Sequence, residues 1–273
     1  MKIGLIAGGG QFPSLFAQRA AEKGYGVIAA GFRSDTDPSL AREVEAFKWL
    51  YLGQINKLIK YFKSHGVTQA VMLGSIQKTS IFRDIRPDLK ALAFIAKTRK
   101  THDDNVLCSF AKLMKEEGIE IMASTFLLPE LLSPAGCWTR RKPDKAEFND
   151  IHQGWRLAKA IGDLDIGQCI VIGNGSVLAV EAIDGTDATI RRGGDLSHGD
   201  GAVVVKLSKP NQDLRFDVPA SGRETIQTMV DHGCTVLALE AGKSLSFDRE
   251  EMIRLADDHK ISIIALADEE IPS

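Results

Sequence analysis

The chain has 273 residues, of which 44% are hydrophobic and 26% charged, a balance that excludes a disordered or fibrous protein. Its formal net charge of −2 argues against a general nucleic-acid binder, which is usually basic. No apolar run approaches the ~18 residues of a membrane span, and the length suits two ordinary domains.

The amino-terminal run Lys2–Ala7 predicts a buried strand and lacks the features of a signal peptide. The glycine loop Gly8-Gly9-Gly10 follows. A helix then runs from about Pro13 to Lys23, with proline suited to its first turn and Gly24 to its stop. Val27–Ala30 predicts a second strand, Ile55–His65 a helix closed by Gly66, and Gln69–Leu73 a third strand. Asp103 or Asp104 is placed to cap a helix running to Glu117, which Gly118 ends before the strand Ile119–Ala123. Such alternation implies a parallel sheet covered by helices, a Rossmann-like domain over residues 1–132.

Residues 133–146 break this rhythm with Pro134, Gly136 and Arg140-Arg141-Lys142-Pro143, and read as a linker. The domain expected over 147–273 opens with a helix from about Phe148 to Ile161. Cys169–Ile172 and Val177–Ala182 then flank Asn174-Gly175, a dipeptide that favours the positive φ of tight hairpin turns. A helical turn holding Arg191 and Arg192, the strand Ala202–Leu207 and a closing αβαβ run over Glu224–Leu266 complete a mixed α/β domain. The whole chain is thus α/β, a Rossmann-like domain followed by a mixed one. Its four cysteines lack metal-ligand or CxxC spacing and read as reduced thiols, so a metal would be a hard cation held by oxygens.

Three motifs could carry chemistry. Gly8-Gly9-Gly10 sits where backbone N–H groups attract an anion, but Pro13 replaces the third glycine of a dinucleotide fingerprint and no acidic residue follows the second strand. A structural tight turn is as good a reading of the loop alone. Gly242-Lys243-Ser244 lacks the glycine cradle of a P-loop and reads as a turn. The densest polar cluster lies between Glu181 and Thr225, above all in the proline-bracketed loop Lys209–Pro219. Charge runs usually pair among themselves at a surface. Carboxylates beside Lys and Arg at strand ends are also what a metal-assisted phosphate reaction needs.

The runs Val180-Glu181-Ala182-Ile183-Asp184-Gly185-Thr186-Asp187 and Lys209-Pro210-Asn211-Gln212-Asp213-Leu214-Arg215-Phe216-Asp217-Val218-Pro219 resemble the LpxI family of UDP-2,3-diacylglucosamine pyrophosphatases. So do Ala7–Pro13, Asp103-Asp104 and Leu127–Leu132. The chain differs from the family's usual pattern in having Lys78-Thr79 after Gly74-Ser75, and His102 before the paired aspartates. The resemblance implies hydrolysis of UDP-2,3-diacylglucosamine to UMP and 2,3-diacylglucosamine 1-phosphate (lipid X) in lipid A synthesis. It also implies Mg²⁺ (or Mn²⁺), a homodimer, and a substrate held between two domains, with water attacking the phosphorus nearer the sugar. On this reading Asp217 is the catalytic carboxylate, and Asp217, Asp187 and Asp213 are the metal candidates. Gly9, Gly10, Gln11, Ser75, Asp104, Thr186, Lys209, Gln212 and Arg215 bind substrate.

The expected location is the cytoplasm, with peripheral contact at the inner membrane through Arg140-Arg141-Lys142. The apolar residues of Phe94-Ile95 and Phe126-Leu127-Leu128 read as core rather than acyl groove. Two other classes stay open: a non-catalytic nucleotide-sugar-binding regulatory module, which would bind without turnover, and a nucleotide-dependent ligase or transferase, which would consume ATP.

Overall fold

The fold is that of a computed structural model describing residues 1–76, 85–100, 106–210, 213, 215–216 and 218–271, the side chains of 97–100 excepted. The chain divides into two compact units. One joins Met1–Pro129 with Asp213–Phe216, and the other joins Glu130–Gln212 with Asp217–Ser273.

The first unit is built on five parallel strands: β1 (Lys2–Ala7), β2 (Gly26–Phe32), β3 (Ala46–Leu50), β4 (Gln69–Leu73) and β5 (Glu120–Ile121). Their order is β3-β2-β1-β4-β5. β1 is buried beyond its first residue because its side chains are covered on both faces, as a central parallel strand requires. Among the described residues four helices accompany the sheet: α1 (Phe12–Glu22), α2 (Ile55–Ser64), α3 (Leu89–Lys100) and α4 (Val106–Glu116). α1 starts with Pro13 in its first turn, and Gly24, at φ +76°, ends the turn that follows. Ile6, Ile28, Leu58, Ile59, Phe62, Ala70 and Met114 form one core, and Phe216 packs against it from far along the chain.

Two elements here carry no expectation from the sequence. β3 is an edge strand, half-buried and interrupted by Lys48, whose ammonium sits 5.2 Å from the Tyr61 ring centroid, so its apolar alternation is broken. α3 carries Lys90 in its first turn and Lys or Arg at three of its last four positions, which interrupts the apolar run.

The second unit has a six-stranded sheet in the order β6-β13-β11-β9-β7-β8. These are β6 (Gly136–Cys137), β7 (Cys169–Gly173), β8 (Ser176–Val180), β9 (Val203–Lys206), β11 (Val236–Glu240) and β13 (Ser262–Leu266). β9, β11 and β13 run parallel, and β6, β7 and β8 pair antiparallel with their neighbours. β10 (Ala220–Ser221) and β12 (Leu245–Ser246) form a separate parallel pair. The β7–β8 turn has Asn174 at φ +51° and Gly175 at φ +75°, the left-handed pair that Asn-Gly tolerates and β-branched residues do not.

The helices are α5 (Lys145–Asp163), α6 (Thr186–Leu196), α7 (Arg223–Asp231) and α8 (Arg249–Asp258). α5 opens on a capping box in which Asp144 and Glu147 each accept the other's backbone N–H at 2.9 Å. α6 replaces the single helical turn expected around Arg191. Its buried residues Thr189, Ile190, Gly193 and Gly194 recur at helical spacing, but the small ones carry no hydrophobic signal.

Residues 133–146 are not a free linker. Ser133 N–H donates to the Ser244 carbonyl at 2.9 Å, the Ser133 and Ser246 hydroxyls lie 2.7 Å apart, and β6 joins the sheet edge. The basic run is drawn in as well. Arg141 donates to Glu147 at 2.6 Å and to the Ser262 hydroxyl at 2.7 Å, while Arg140 pairs with Asp257. Turn-forming residues marked this stretch as irregular, and side-chain hydrogen bonds make it ordered.

Candidate functional site

In the first unit the strand order reverses at β1, which has β2 on one side and β4 on the other. Loops leaving the carboxyl ends of such neighbours diverge and open a crevice. The Gly8-Gly9-Gly10 loop leaves β1 there and Gly74-Ser75 leaves β4. The two loops are stitched together: Gly8 N–H donates to the Leu73 carbonyl at 2.8 Å, Gly9 N–H to that of Ser75 at 2.8 Å, and Ser75 N–H to that of Gly9 at 3.1 Å. Glycine is required by this approach, since a Cβ on Gly8 would lie 2.6 Å from the Ser75 carbonyl oxygen. Four expected residues, Gly9, Gly10, Gln11 and Ser75, are thus brought together.

Beside them is a cavity of about 630 Å³ lined by Gly10, Gln11, Ser14, Arg33 and residues 34–38. The Arg33 guanidinium lies 5.9 Å from the ring centroids of both Trp49 and Tyr51, and that of Arg86 lies 3.9 Å from Tyr51. Thr36, buried, donates to the Ala7 carbonyl at 2.6 Å and accepts from Phe32 N–H at 2.8 Å, which ties the cavity wall to β1. The sequence shows Arg33 where a dinucleotide site has an acid. Its facing of the cavity depends on β3, which the sequence does not reveal.

Asp213–Phe216 is part of this unit. Asp213 accepts from Arg215 at Nε (2.9 Å), at Nη2 (2.6 Å) and at the backbone N–H (3.0 Å), and from the Cys108 thiol at 3.2 Å. The Arg215 side chain, foremost, holds the Asp213 carboxyl down at about 2, so it is anionic at any ordinary pH. Burial, then the Asp213 carboxylate, pushes the Cys108 thiol up, so it is a donor and not a thiolate nucleophile. Arg215 also stacks on Phe216, 5.1 Å from its centroid. Asp217, Gln212 and Asp104 lie outside the described residues.

The remaining expected residues belong to the second unit. Lys209 Nζ donates to Asp165 at 2.5 Å. Thr186 and Asp187 open α6. The Thr186 hydroxyl donates to the buried Glu181 at 3.0 Å, while Asp187 is exposed in the first turn. The sequence does not foresee Glu240, the last residue of β11, which is 1% exposed. It accepts from Lys159 and Lys243 at 2.7 Å and from both the backbone and hydroxyl of Ser208, fixing the point where the Lys209–Pro219 loop departs. Lys206 donates to the Ala220 carbonyl just past the loop's other end.

Among the described residues no group of three or more His, Cys, Asp or Glu side chains is placed to hold a metal. The donor chemistry of Asp213 and Asp187 suits a hard cation, although Arg215 occupies both Asp213 oxygens.

The chain matches two family models, described as the LpxI N-terminal domain over residues 2–131 and the LpxI C-terminal domain over 134–264. It is 33% identical over 281 residues to UDP-2,3-diacylglucosamine pyrophosphatase LpxI of Caulobacter vibrioides, covering 99% of each chain. Solved structures resemble it only distantly. The biotin carboxylase domain of a single-chain bacterial carboxylase matches at 14% identity and TM-score 0.28, over 59% of this chain and 29% of that one. The corresponding domain of Hydrogenobacter thermophilus 2-oxoglutarate carboxylase matches at 14% identity and TM-score 0.27, over 64% and 35%. The chain spans about a third of each of those two, and the likeness carries no functional argument.

Proposed function

The chain belongs to the LpxI family, and on that premise we propose that it hydrolyses the diphosphate of UDP-2,3-diacylglucosamine to UMP and 2,3-diacylglucosamine 1-phosphate in lipid A synthesis. The observation carrying this reading is the match of both domain models, in order, together with the relative's 99% coverage of both chains. In the reaction a water oxygen bonds to the phosphorus nearer the sugar, the bond from that phosphorus to the bridging oxygen breaks, and UMP leaves with that oxygen. The water's proton passes to the Asp217 carboxylate. Lys209 and Arg215 offset the diphosphate charge, exchanging Asp165 and Asp213 for phosphate oxygens as they do so. The stitched Gly9–Ser75 turn and the cavity beside Gln11 take the nucleotide end.

Asp217, Asp213 and Asp187 are the residues that would hold Mg²⁺ or Mn²⁺. When bound, the ion supplies electrostatic stabilisation of the phosphoryl group. The same reading has the enzyme act as a homodimer at the cytoplasmic face of the inner membrane. Incubation of pure protein with UDP-2,3-diacylglucosamine and Mg²⁺ should release UMP and the monophosphate lipid. Tight binding without either product would replace hydrolysis with the regulatory-module reading.

A further inference from the structure

β9 pairs with β11 as far as Lys206 beside Leu239. Two residues later the backbone N–H of Ser208 goes to the Glu240 carboxylate, at 3.0 Å, rather than to a backbone carbonyl. The Ser208 hydroxyl donates to the same oxygen at 2.5 Å. The other carboxylate oxygen accepts from Lys159 and from Lys243, each at 2.7 Å, and both lysines also face Asp268. A carboxylate is costly to bury, and an apolar side chain of similar size is often as stable in such a place. What the buried charge of Glu240 adds is a fixed geometry at Ser208, the residue before Lys209.

The turn after β11 holds the far end of the same loop. Gly242-Lys243-Ser244, which the sequence offers only as a turn, folds back so that the Ser244 hydroxyl donates to the Glu240 carbonyl at 2.6 Å. It leads into β12, where Leu245 N–H donates to the Pro219 carbonyl at 2.7 Å and the strand pairs with Ala220 and Ser221 of β10. One short segment, Glu240–Ser246, thus grips Ser208 where the loop begins and Pro219 to Ser221 where it ends. Lys206 joins the two ends directly at the Ala220 carbonyl. We infer that Glu240 is a positioning residue for the diphosphate reaction: through Ser208 it sets the place from which Lys209, Arg215 and Asp217 reach the phosphates. Glu240 is buried and touches no substrate itself. Misplacing a reacting group by about 1 Å costs on the order of a hundredfold in rate, so the mooring acts on kcat more than on KM. A side chain that only stabilised the fold would change the melt and leave the turnover of the folded enzyme as it was.

This inference rests on the hydrolysis reading, and its test separates the two failures. Full-length wild type, Glu240→Gln and Ser208→Ala are compared by steady-state turnover of UDP-2,3-diacylglucosamine with Mg²⁺, by thermal melts, and by hydrogen–deuterium exchange over the loop. Glu240→Gln keeps the shape and removes the charge. Ser208→Ala deletes a single hydroxyl and serves if Glu240→Gln does not fold. Well below the melts, kcat should fall about tenfold or more while KM changes less than about threefold, with faster exchange confined to residues 208–219. Folded variants with wild-type kcat overturn the proposal, as do losses that track the melting temperature without a local change in exchange. If wild type itself releases no UMP, the hydrolysis reading fails alone and the exchange measurement still judges the mooring. Faster loop exchange in the variants then supports it, and unchanged exchange overturns it.

Discussion

Asp213, Arg215 and Asp217 stand within five residues of one another, yet the carboxylate of Asp213 is already committed to Arg215 and Cys108. A carboxyl held at about 2 by a guanidinium is a poor proton acceptor, which leaves Asp217 as the better candidate for receiving a proton from water. Asp217→Ala should therefore lower turnover by roughly a hundredfold or more, on the order of 3 kcal/mol in the barrier. Asp217→Asn should fail almost as badly. Steady-state rates with a thermal melt decide it, and a folded Asp217→Ala enzyme within tenfold of wild type would exonerate the residue. Metal removal is tested alongside: EDTA should abolish turnover and Mg²⁺ restore it, and full activity after exhaustive chelation would exclude a metal role. Gly8 makes a different kind of residue prediction. A methyl group there meets a backbone oxygen at 2.6 Å, and backbone cannot rotate aside, so Gly8→Ala should destabilise by about 1–3 kcal/mol. An unchanged melting temperature would show that the glycine turn yields freely.

At the scale of elements, Glu117 joins three helices of the first unit. It follows α4 and accepts from Lys63 at the end of α2 (2.6 Å) and from Lys90 in α3. The Lys63 hydrogen bond, then that of Lys90, lowers its carboxyl from 4.5 to about 2. A depressed folded-state value contributes stability that is fully present above the unfolded value near 4.5 and is lost as pH falls toward 2. Wild type should thus lose melting temperature faster than Glu117→Gln between those limits, and the two should keep a constant offset at neutral pH. Parallel melting curves across the acid range would mean that the pair is inert. The elements themselves were largely legible. α1, α2, β4 and the β7–β8 hairpin follow from periodicity, Pro13, Gly24, Gly66 and Asn174-Gly175, all of them local signals. β3 was hidden because an edge strand with Lys48 in its middle has no clean alternation, and α6 because Gly193 and Gly194 pack without being hydrophobic.

For the whole molecule, the consequential feature is that Asp213–Phe216 belongs to the first unit although it lies deep in the carboxy-terminal half. Phe216 supplies apolar cover to the core around Phe62 and Met114. A fragment of residues 1–132 lacks that cover, so it should melt below the first unit of the intact chain, and neither half alone should release UMP from UDP-2,3-diacylglucosamine. A carboxy-terminal fragment with near-native turnover would show that the first unit is dispensable. The membrane question also belongs to this scale. Among the described residues no helix is long and apolar enough to cross a bilayer.

By itself the sequence determined the α/β alternation, the two-part organisation and the family, because strand and helix periods, turn residues and motif order are written in neighbouring positions. It also singled out the Lys209–Pro219 loop by its crowded charges. Only the tertiary structure decided the strand order that puts Gly9 beside Ser75, the capture of Arg215 by Asp213, and the burial of Glu240 under two lysines. Each of these depends on what covers or pairs with a side chain across long stretches of chain. Local pattern tells which residues seek a partner, and only packing decides which of them find one.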